Sequence, residues 1–252
     1  MTLALRQLLL DGVAHRGGFS VDAARADSVL KRFSPRRVVI PIGGRPLSLV
    51  LPDTGALIRT GAWATEGEAE PPYWQEVWPA SVAAARSAAR LCRGAGIRVL
   101  DLGCGLGVPG IAAARAGCAV TFADRDADAL AFVRWNLASV APEAATSCVR
   151  IDWSHAVVDG QFDVVIMSDV SYRPVHHLAL WRHVDACLAP DGLIIHSDPE
   201  RRESHPFVSG LHQRLHLVET RARVLIGTRQ SVIRLCLARR LAQSPRWAPK
   251  PV

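Results

Sequence analysis

Three glycines alternate directly after an apolar segment that ends in an acid. Asp101 closes that segment, and Gly103, Gly105 and Gly107 follow it before a helical pattern begins. Glycine lets the backbone approach a ligand closely, and the start of a helix offers free N–H groups. Asp124 ends the next apolar segment, where a carboxylate can accept both hydroxyls of a ribose. The pattern predicts a site for an adenosine-containing cofactor.

The glycines can be aligned with two different cofactor motifs. Gly105, Gly107 and Gly110 spell the G-x-G-x-x-G of dinucleotide-binding proteins, but this string begins four residues after the strand has ended. The earlier string runs from Asp101 through Gly103 and starts where the strand stops. The carboxylate of Asp101 suits a ligand with a cationic amino group, and this string does not require the ligand to carry a pyrophosphate. This earlier string resembles the S-adenosylmethionine motif of class I methyltransferases, and the resemblance favours that cofactor over NAD or FAD.

Two further acidic strings close later apolar segments. Asp152 is placed to accept from the exocyclic amine of adenine, and Trp153 either packs beside that ring or belongs to the core. Asp169 and Tyr172 form an Asp-x-x-Tyr string where the acceptor should lie, since carboxyl ends of parallel strands line the ligand crevice. Enzymes that methylate adenine N6 carry two prolines here. Their absence argues against a nucleic-acid adenine methyltransferase.

Residues 71–79 read Pro-Pro-Tyr-Trp-Gln-Glu-Val-Trp-Pro and form an aromatic collar before the first core helix. Such a collar can cover a cofactor or grip an aliphatic side chain, and it can also serve as a hydrophobic staple at the helix entry. We predict that Trp78 contacts the cofactor, because it is nearest to the helix start.

These strings resemble the seven-strand protein lysine methyltransferases of the methyltransferase-16 group, above all the electron-transfer-flavoprotein β-subunit lysine methyltransferase and its bacterial relatives. The resemblance covers about residues 71–240 and includes Asp198-Pro199, after which the family continues Gly-Arg and this chain has Glu200-Arg201. It implies a class I fold, S-adenosylmethionine as cofactor and a lysine side chain as acceptor. Asp169 and Tyr172 are then the catalytic residues that orient the lysine.

Strands that alternate with helices predict βαβ units and a mostly parallel, doubly wound seven-stranded Rossmann-like sheet. Strands are expected at 97–101, 119–123, 147–151, 162–167 and 192–197, and helices at 79–92, 108–116, 126–138, 174–188 and 205–214. Two last strands, near 216–226 and 230–238, are joined by Gly227-Thr228, too short for a crossover helix, so they must be antiparallel.

The first 70 residues are expected to form an α+β extension, followed by a methyltransferase domain at 71–241 and a tail at 242–252. Helices are predicted at 3–10 and 22–33, a hairpin at 37–42 and 46–51 around two glycines, and a loop at 60–72.

Composition narrows the class of protein further. The chain has 252 residues, 49% hydrophobic and 21% charged, and no apolar run long enough for a membrane helix. Its six cysteines form no CxxC pair, which indicates reduced thiols in a cytoplasmic protein without a metal site. The net charge of +7 comes almost entirely from scattered arginines, which is weak support for RNA binding.

Protein lysine N-methylation is the leading hypothesis, with a protein as partner. A small-molecule N- or O-methyltransferase, an RNA methyltransferase and a non-enzymatic S-adenosylmethionine-binding module stay open as alternatives. His176 and His177 are expected to be solvated residues of a first helical turn, and His196 a core residue behind the site.

Overall fold

A computed structural model describes residues 32–55, 57 and 72–240. The expected helix at 3–10, most of the one at 22–33, the loop at 60–72 except for its last residue, and the tail at 242–252 lie outside these residues.

The centre of the protein is a seven-stranded sheet. Its strands are β3 (Arg98–Leu102), β4 (Ala119–Asp124), β5 (Thr146–Arg150), β6 (Phe162–Ser168), β7 (Leu188–Asp198), β8 (His216–Ile226) and β9 (Arg229–Arg239). They lie in the order β5-β4-β3-β6-β7-β9-β8. The strands β3 to β7 are parallel, and β9 is antiparallel to both of its neighbours, β7 and β8, which confirms the predicted mostly parallel sheet.

Five helices connect or flank these strands. They are α1 (Pro79–Leu91), α2 (Val108–Arg115), α3 (Ala127–Val140), α4 (His177–Cys187) and α5 (His205–Arg214). Two apolar clusters cover the two faces of the sheet, one holding Phe122 and Phe132 and the other holding Met167 and Phe207. Because both faces are covered, the central strands carry continuous apolar runs rather than alternating ones.

Two predicted boundaries differ from the structure by more than two residues. β7 begins at Leu188 and not at 192, because Leu188 pairs with Phe162 and the register then shifts by a bulge before Leu193 pairs with Val164. The expected helix at 174–188 divides into a 3₁₀ turn, Pro174–His176, followed by α4. The proline fits this division, since it stands at the first position of the turn.

The predicted hairpin is present as β1 (Arg36–Ile40) and β2 (Leu47–Leu51), which pair in antiparallel register as a separate two-stranded sheet. It is fastened to α3 by Asn136, whose amide both accepts from Val50 N at 2.7 Å and donates to Val50 O at 2.9 Å. Asn136 is 2% exposed, so both bonds are shielded from water. This one side chain replaces the backbone partner that Val50 would otherwise find in a third strand.

Among the described residues, no helix combines the length and the apolar composition needed to cross a membrane.

Asn136→Ala should lower the free energy of unfolding by about 2–4 kcal/mol, because it leaves a buried N–H and a buried carbonyl without partners. Urea denaturation of both proteins measures the difference. Thr121→Val is the control, because its hydroxyl pairs with Ser147 on an exposed face and its loss should cost under about 1 kcal/mol. An unfolding midpoint unchanged by Asn136→Ala would show that the hairpin is held by apolar packing alone.

Candidate active site

A cavity of about 940 Å³ opens at the carboxyl ends of the parallel strands. This is the edge of an open α/β sheet at which ligands bind. Eight of the predicted site residues line it: Trp78, Gly103, Gly105, Asp124, Asp152, Trp153, Asp169 and Tyr172. The structure therefore brings together side chains that lie up to 94 positions apart in the sequence.

Two features of the turn between β3 and α2 require glycine: the backbone conformation and the close approach of neighbouring side chains. Gly103, Gly105 and Gly107 have φ values of 67°, 51° and 69°, which a residue with a Cβ rarely adopts. A Cβ on Gly103 would stand 2.5 Å from the Trp153 ring, whereas one on Gly107 would stand 2.7 Å from Val133. Gly107 therefore packs against the core and is not among the cavity-lining residues. Its predicted contact with the cofactor stays a prediction.

Asp124 is the last residue of β4, and its carboxylate faces the glycine turn. One oxygen accepts from Gly105 N at 2.8 Å and the other from Asp126 N at 3.0 Å. Burial raises the pKa of this carboxyl group, and the two N–H groups oppose that rise. Because a carboxylate offers about four acceptor positions, each oxygen can still accept one hydroxyl hydrogen from the cavity. The Asp124 carboxylate therefore fits the two hydroxyl groups of a ribose.

Asp101 lies behind the cavity wall and not in its lining. Its side chain is 1% exposed and accepts from Gly110 N at 2.8 Å, a group in the first turn of α2. Burial raises its pKa to about 7, with the nearby charge of Asp124 acting in the same direction. The structure thus shows Asp101 tying β3 to the helix. The predicted contact with a cationic amino group stays a prediction.

Asp152 and Trp153 follow β5 and differ in environment. Asp152 is exposed and accepts from Ser154 N at 2.8 Å, which lowers its pKa. Trp153 is half-buried, covers Gly103 and meets the ring of His176 edge-on at 5.7 Å. The two sequence interpretations of Trp153 are therefore compatible, because one face of the ring packs while the residue also lines the cavity.

Asp169 and Tyr172 lie on the loop that follows β6. Asp169 has a φ of 52° and its N–H donates to Ser197 O at 2.8 Å, on the neighbouring strand. The Tyr172 ring meets that of Tyr73 at 6.0 Å, and Tyr73 meets that of Trp78 at 6.2 Å. Trp78 in turn donates from Nε1 to Tyr73 O at 2.9 Å. Burial raises the pKa of the Tyr172 phenol, so it stays protonated at neutral pH.

The loop that carries Asp169 and Tyr172 is held by two histidines. His196 Nε2 lies 2.8 Å from Ser171 Oγ, and burial lowers the pKa of His196 to about 3, so the ring is neutral. His177 Nε2 lies 2.8 Å from Ser171 O. His196 is a core residue as predicted. His176 and His177 are half-buried against this loop rather than solvated, because the 3₁₀ turn folds the start of α4 back over it.

The sequence motifs did not predict a place for Arg201 in the site. Its guanidinium donates to both oxygens of Asp169, from Nε at 3.1 Å and from Nη2 at 3.2 Å. The available signal was the position of Arg201 after Asp198-Pro199, at the carboxyl end of β7, next to β6 in the sheet.

The sheet order and the cavity at its carboxyl edge define a class I methyltransferase. A family model described as a methyltransferase domain matches residues 75–235, more than half of the chain, and the chain belongs to this family. The predictions of fold class, of a methyltransferase and of S-adenosylmethionine as its cofactor are thereby confirmed at the level of the family.

Comparisons with individual proteins support the same class. The chain is similar to the electron transfer flavoprotein beta subunit lysine methyltransferase of Danio rerio, with 31% identity over 153 residues. That match covers 58% of this chain and only 57% of the relative's length.

Two solved structures share the fold. One is a provisionally assigned S-adenosylmethionine-dependent methyltransferase from Streptococcus mutans, with a TM-score of 0.54, 13% identity, and coverage of 81% of this chain and 56% of that one. The other is a provisionally assigned RNA methyltransferase from Pyrococcus horikoshii, with a TM-score of 0.51, 17% identity, and coverage of 75% and 98%.

Asp124→Ala should weaken the binding of S-adenosylhomocysteine by about 1.5–3 kcal/mol, the usual cost of losing hydrogen bonds to a charged group. Calorimetry measures it, and NAD should give no heat of binding to the parent protein. Asp163→Ala, which removes a carboxylate outside the cavity lining, is the control. Equal affinities of parent and Asp124→Ala for S-adenosylhomocysteine would assign the ribose contact to another residue.

Asp101→Asn should gain stability relative to the parent as the pH rises. The folded protein holds a proton on Asp101 up to about pH 7, whereas the unfolded chain loses it near 3.8. The parent therefore loses stability between these two pH values, at about 1.4 kcal/mol for each unit of pH. Urea denaturation of both proteins at a series of pH values tests this. A difference that does not change with pH would mean that Asp101 is ionised in the fold.

Proposed function

We propose that this protein transfers a methyl group from S-adenosylmethionine to a lysine side chain of another protein. The observation that carries this proposal is the position of Asp169 and Tyr172 in the same cavity as Asp124 and Asp152. Two acidic groups are thus available for a nucleoside, while a third, with a phenol, stands apart from them on a different loop. The similarity to a lysine methyltransferase supports the choice of acceptor.

The cofactor would be held mainly by strand-end residues. We assign the ribose hydroxyls to Asp124, the adenine amine to Asp152 and the backbone approach to Gly103 and Gly105, with Trp153 beside the ring. Trp78 would cover the bound molecule from the collar. When bound, S-adenosylmethionine supplies a methyl group on a sulfonium, which is already a good leaving group.

The protein's remaining task is to deliver an uncharged nitrogen in line with that methyl group. A lysine ammonium must lose its proton first, and an environment that excludes water lowers its pKa. The rings of Tyr73, Trp78 and Tyr172 would supply such an environment, because the centre of the Tyr73 ring lies 6.2 Å from that of Trp78 and 6.0 Å from that of Tyr172. Asp169 can accept a hydrogen bond from the amine, and the Tyr172 phenol can fix its angle of approach.

A labelled methyl group should therefore enter protein when tritiated S-adenosylmethionine and the enzyme are added to a lysate. Protease treatment should release the label from the precipitable fraction and ribonuclease should not, and hydrolysis should recover it as methylated lysine. The Asp124→Ala variant supplies the background. Label found in RNA or in a small metabolite, with none in protein, would refute the proposal in favour of those acceptors.

Asp169→Asn should slow methyl transfer by at least about 10²-fold, the scale expected when a reacting group is misplaced, because it keeps the shape of the side chain and removes the charged acceptor that orients the amine. Tyr172→Phe should cost less, since the ring still packs. Both variants should bind S-adenosylhomocysteine with nearly the parent affinity in calorimetry. Transfer by Asp169→Asn at the parent rate would place the acceptor elsewhere, and loss of cofactor binding would show that the two groups of residues are not separate.

A further inference from the structure

The carboxylate of Asp169 is already paired within the protein. Arg201 donates to both of its oxygens, and the Asp169 side chain is only 8% exposed while that of Arg201 is 39% exposed. Two parallel N–H···O bonds fix the plane of the carboxylate as well as its position. The proposed acceptor group therefore has one defined orientation.

The same guanidinium reaches the second proposed acceptor residue. The Arg201 carbon Cζ lies 6.0 Å from the centre of the Tyr172 ring, at the distance where a cation interacts with an aromatic face. Pairing with Asp169 raises the pKa of Arg201, so its charge persists at any working pH. One cation thus contacts both residues that we assign to the acceptor.

The backbone that leads into Arg201 is held at two residues. Asp198 is fully buried and is gripped by Arg234 through three contacts of 2.9–3.1 Å, and Glu200 N donates to the Asp198 carboxylate. The Glu200 carboxylate pairs with Arg221 on β8 at 2.6 Å. These contacts stabilise Glu200 at a φ of 58°. The stem of Arg201 is therefore fixed in place.

We infer that Arg201 is a positioning residue that holds Asp169 and neutralises its charge, so that the site receives the acceptor amine uncharged. This inference rests on the proposed function, since it takes Asp169 and Tyr172 as the acceptor site.

The physical reason is electrostatic. An ammonium beside Asp169 would also stand beside Arg201, and the repulsion between the two cations disfavours the charged form. A neutral amine meets no such repulsion and can donate to a lone pair of Asp169 that Arg201 leaves unused. The ammonium gives one proton to solvent before it enters. The nitrogen then forms its bond to the methyl carbon as the carbon–sulfur bond breaks, and the positive charge passes from sulfur to nitrogen.

A double-mutant cycle tests whether Arg201 acts through Asp169. Arg201→Gln should lower kcat about 10- to 100-fold, the scale expected when a reacting group is misplaced, and leave the acceptor KM unchanged or lower. In the Asp169→Asn background the same change should cost less than about 3-fold, because the group it positions is already gone. Single-turnover transfer of a tritiated methyl group keeps the slow variants measurable. Arg201→Lys should recover part of the loss in the parent background only.

Arg214→Gln is a matched control. Arg214 pairs with Asp185 at 2.7 Å and lies 4.1 Å from the centre of the Trp181 ring, the same arrangement outside the cavity lining. This variant should keep the parent kcat. Equal costs of Arg201→Gln in both backgrounds, or a raised KM at unchanged kcat, would overturn the inference while leaving the proposed function intact. If the label enters another class of acceptor, the proposed function fails, and the cycle is run on that acceptor with the same two outcomes.

A second measurement needs no acceptor. The chain has only two tyrosines, so in a Tyr73→Phe background the near-ultraviolet phenolate absorbance reports Tyr172 alone. The phenol faces Arg125, Tyr73, Asp169 and Arg201. Arg201→Gln should move its titration to higher pH, because a nearby positive charge is lost, with circular dichroism monitoring the fold. A titration that does not move would overturn the inference.

Discussion

Burying a carboxylate without a partner is costly, and the carboxyl edge of this sheet has to meet that constraint four times. Asp101, Asp124, Asp169 and Asp198 stand at or just beyond the ends of four strands. Asp101 is held by one backbone N–H and Asp124 by two, whereas Asp169 and Asp198 are each held by a guanidinium. The glycine turn, the start of α2 and the Asp198–Arg201 segment take their shapes from these donors.

The kind of donor that holds each carboxylate determines which further interactions that carboxylate can make. Burial raises the pKa of Asp101 to about 7 because a single N–H group compensates it, which suits a structural link better than ion pairing. Asp124 keeps acceptor capacity that faces the cavity. Asp169 is paired with a cation, so it can accept a hydrogen bond without attracting a second full charge. Aspartates at equivalent ends of strands are thus suited to three different roles.

The architecture could be predicted from the sequence because βαβ units have clear local sequence patterns. Apolar runs, the glycine turn and the short Gly227-Thr228 connection predicted the strands, their directions and the edge where the site lies. The bulge after Leu188 was not predictable, since it depends on the register with Phe162. The burial of Asp101 was not predictable either. The same holds for the pairing of Asp169 with Arg201, because side chains 32 residues apart meet only through the order of strands in the sheet.

Backbone strain is concentrated in the same part of the molecule. Among the described residues, Ser34, Asp169 and Glu200 are the non-glycine residues with positive φ. Asp169 belongs to the Asp169–Arg201 pair, and Glu200 directly precedes Arg201. A left-handed conformation costs an ordinary residue about 1–2 kcal/mol, so it persists only where surrounding contacts outweigh it. Ser197 O holds Asp169 by its N–H, and Asp198 holds Glu200 in the same way. Both holding groups lie at the end of β7, in the interior of the sheet. The core of the sheet therefore stabilises two strained residues, one of which carries the carboxylate while the other directly precedes the residue that carries the guanidinium.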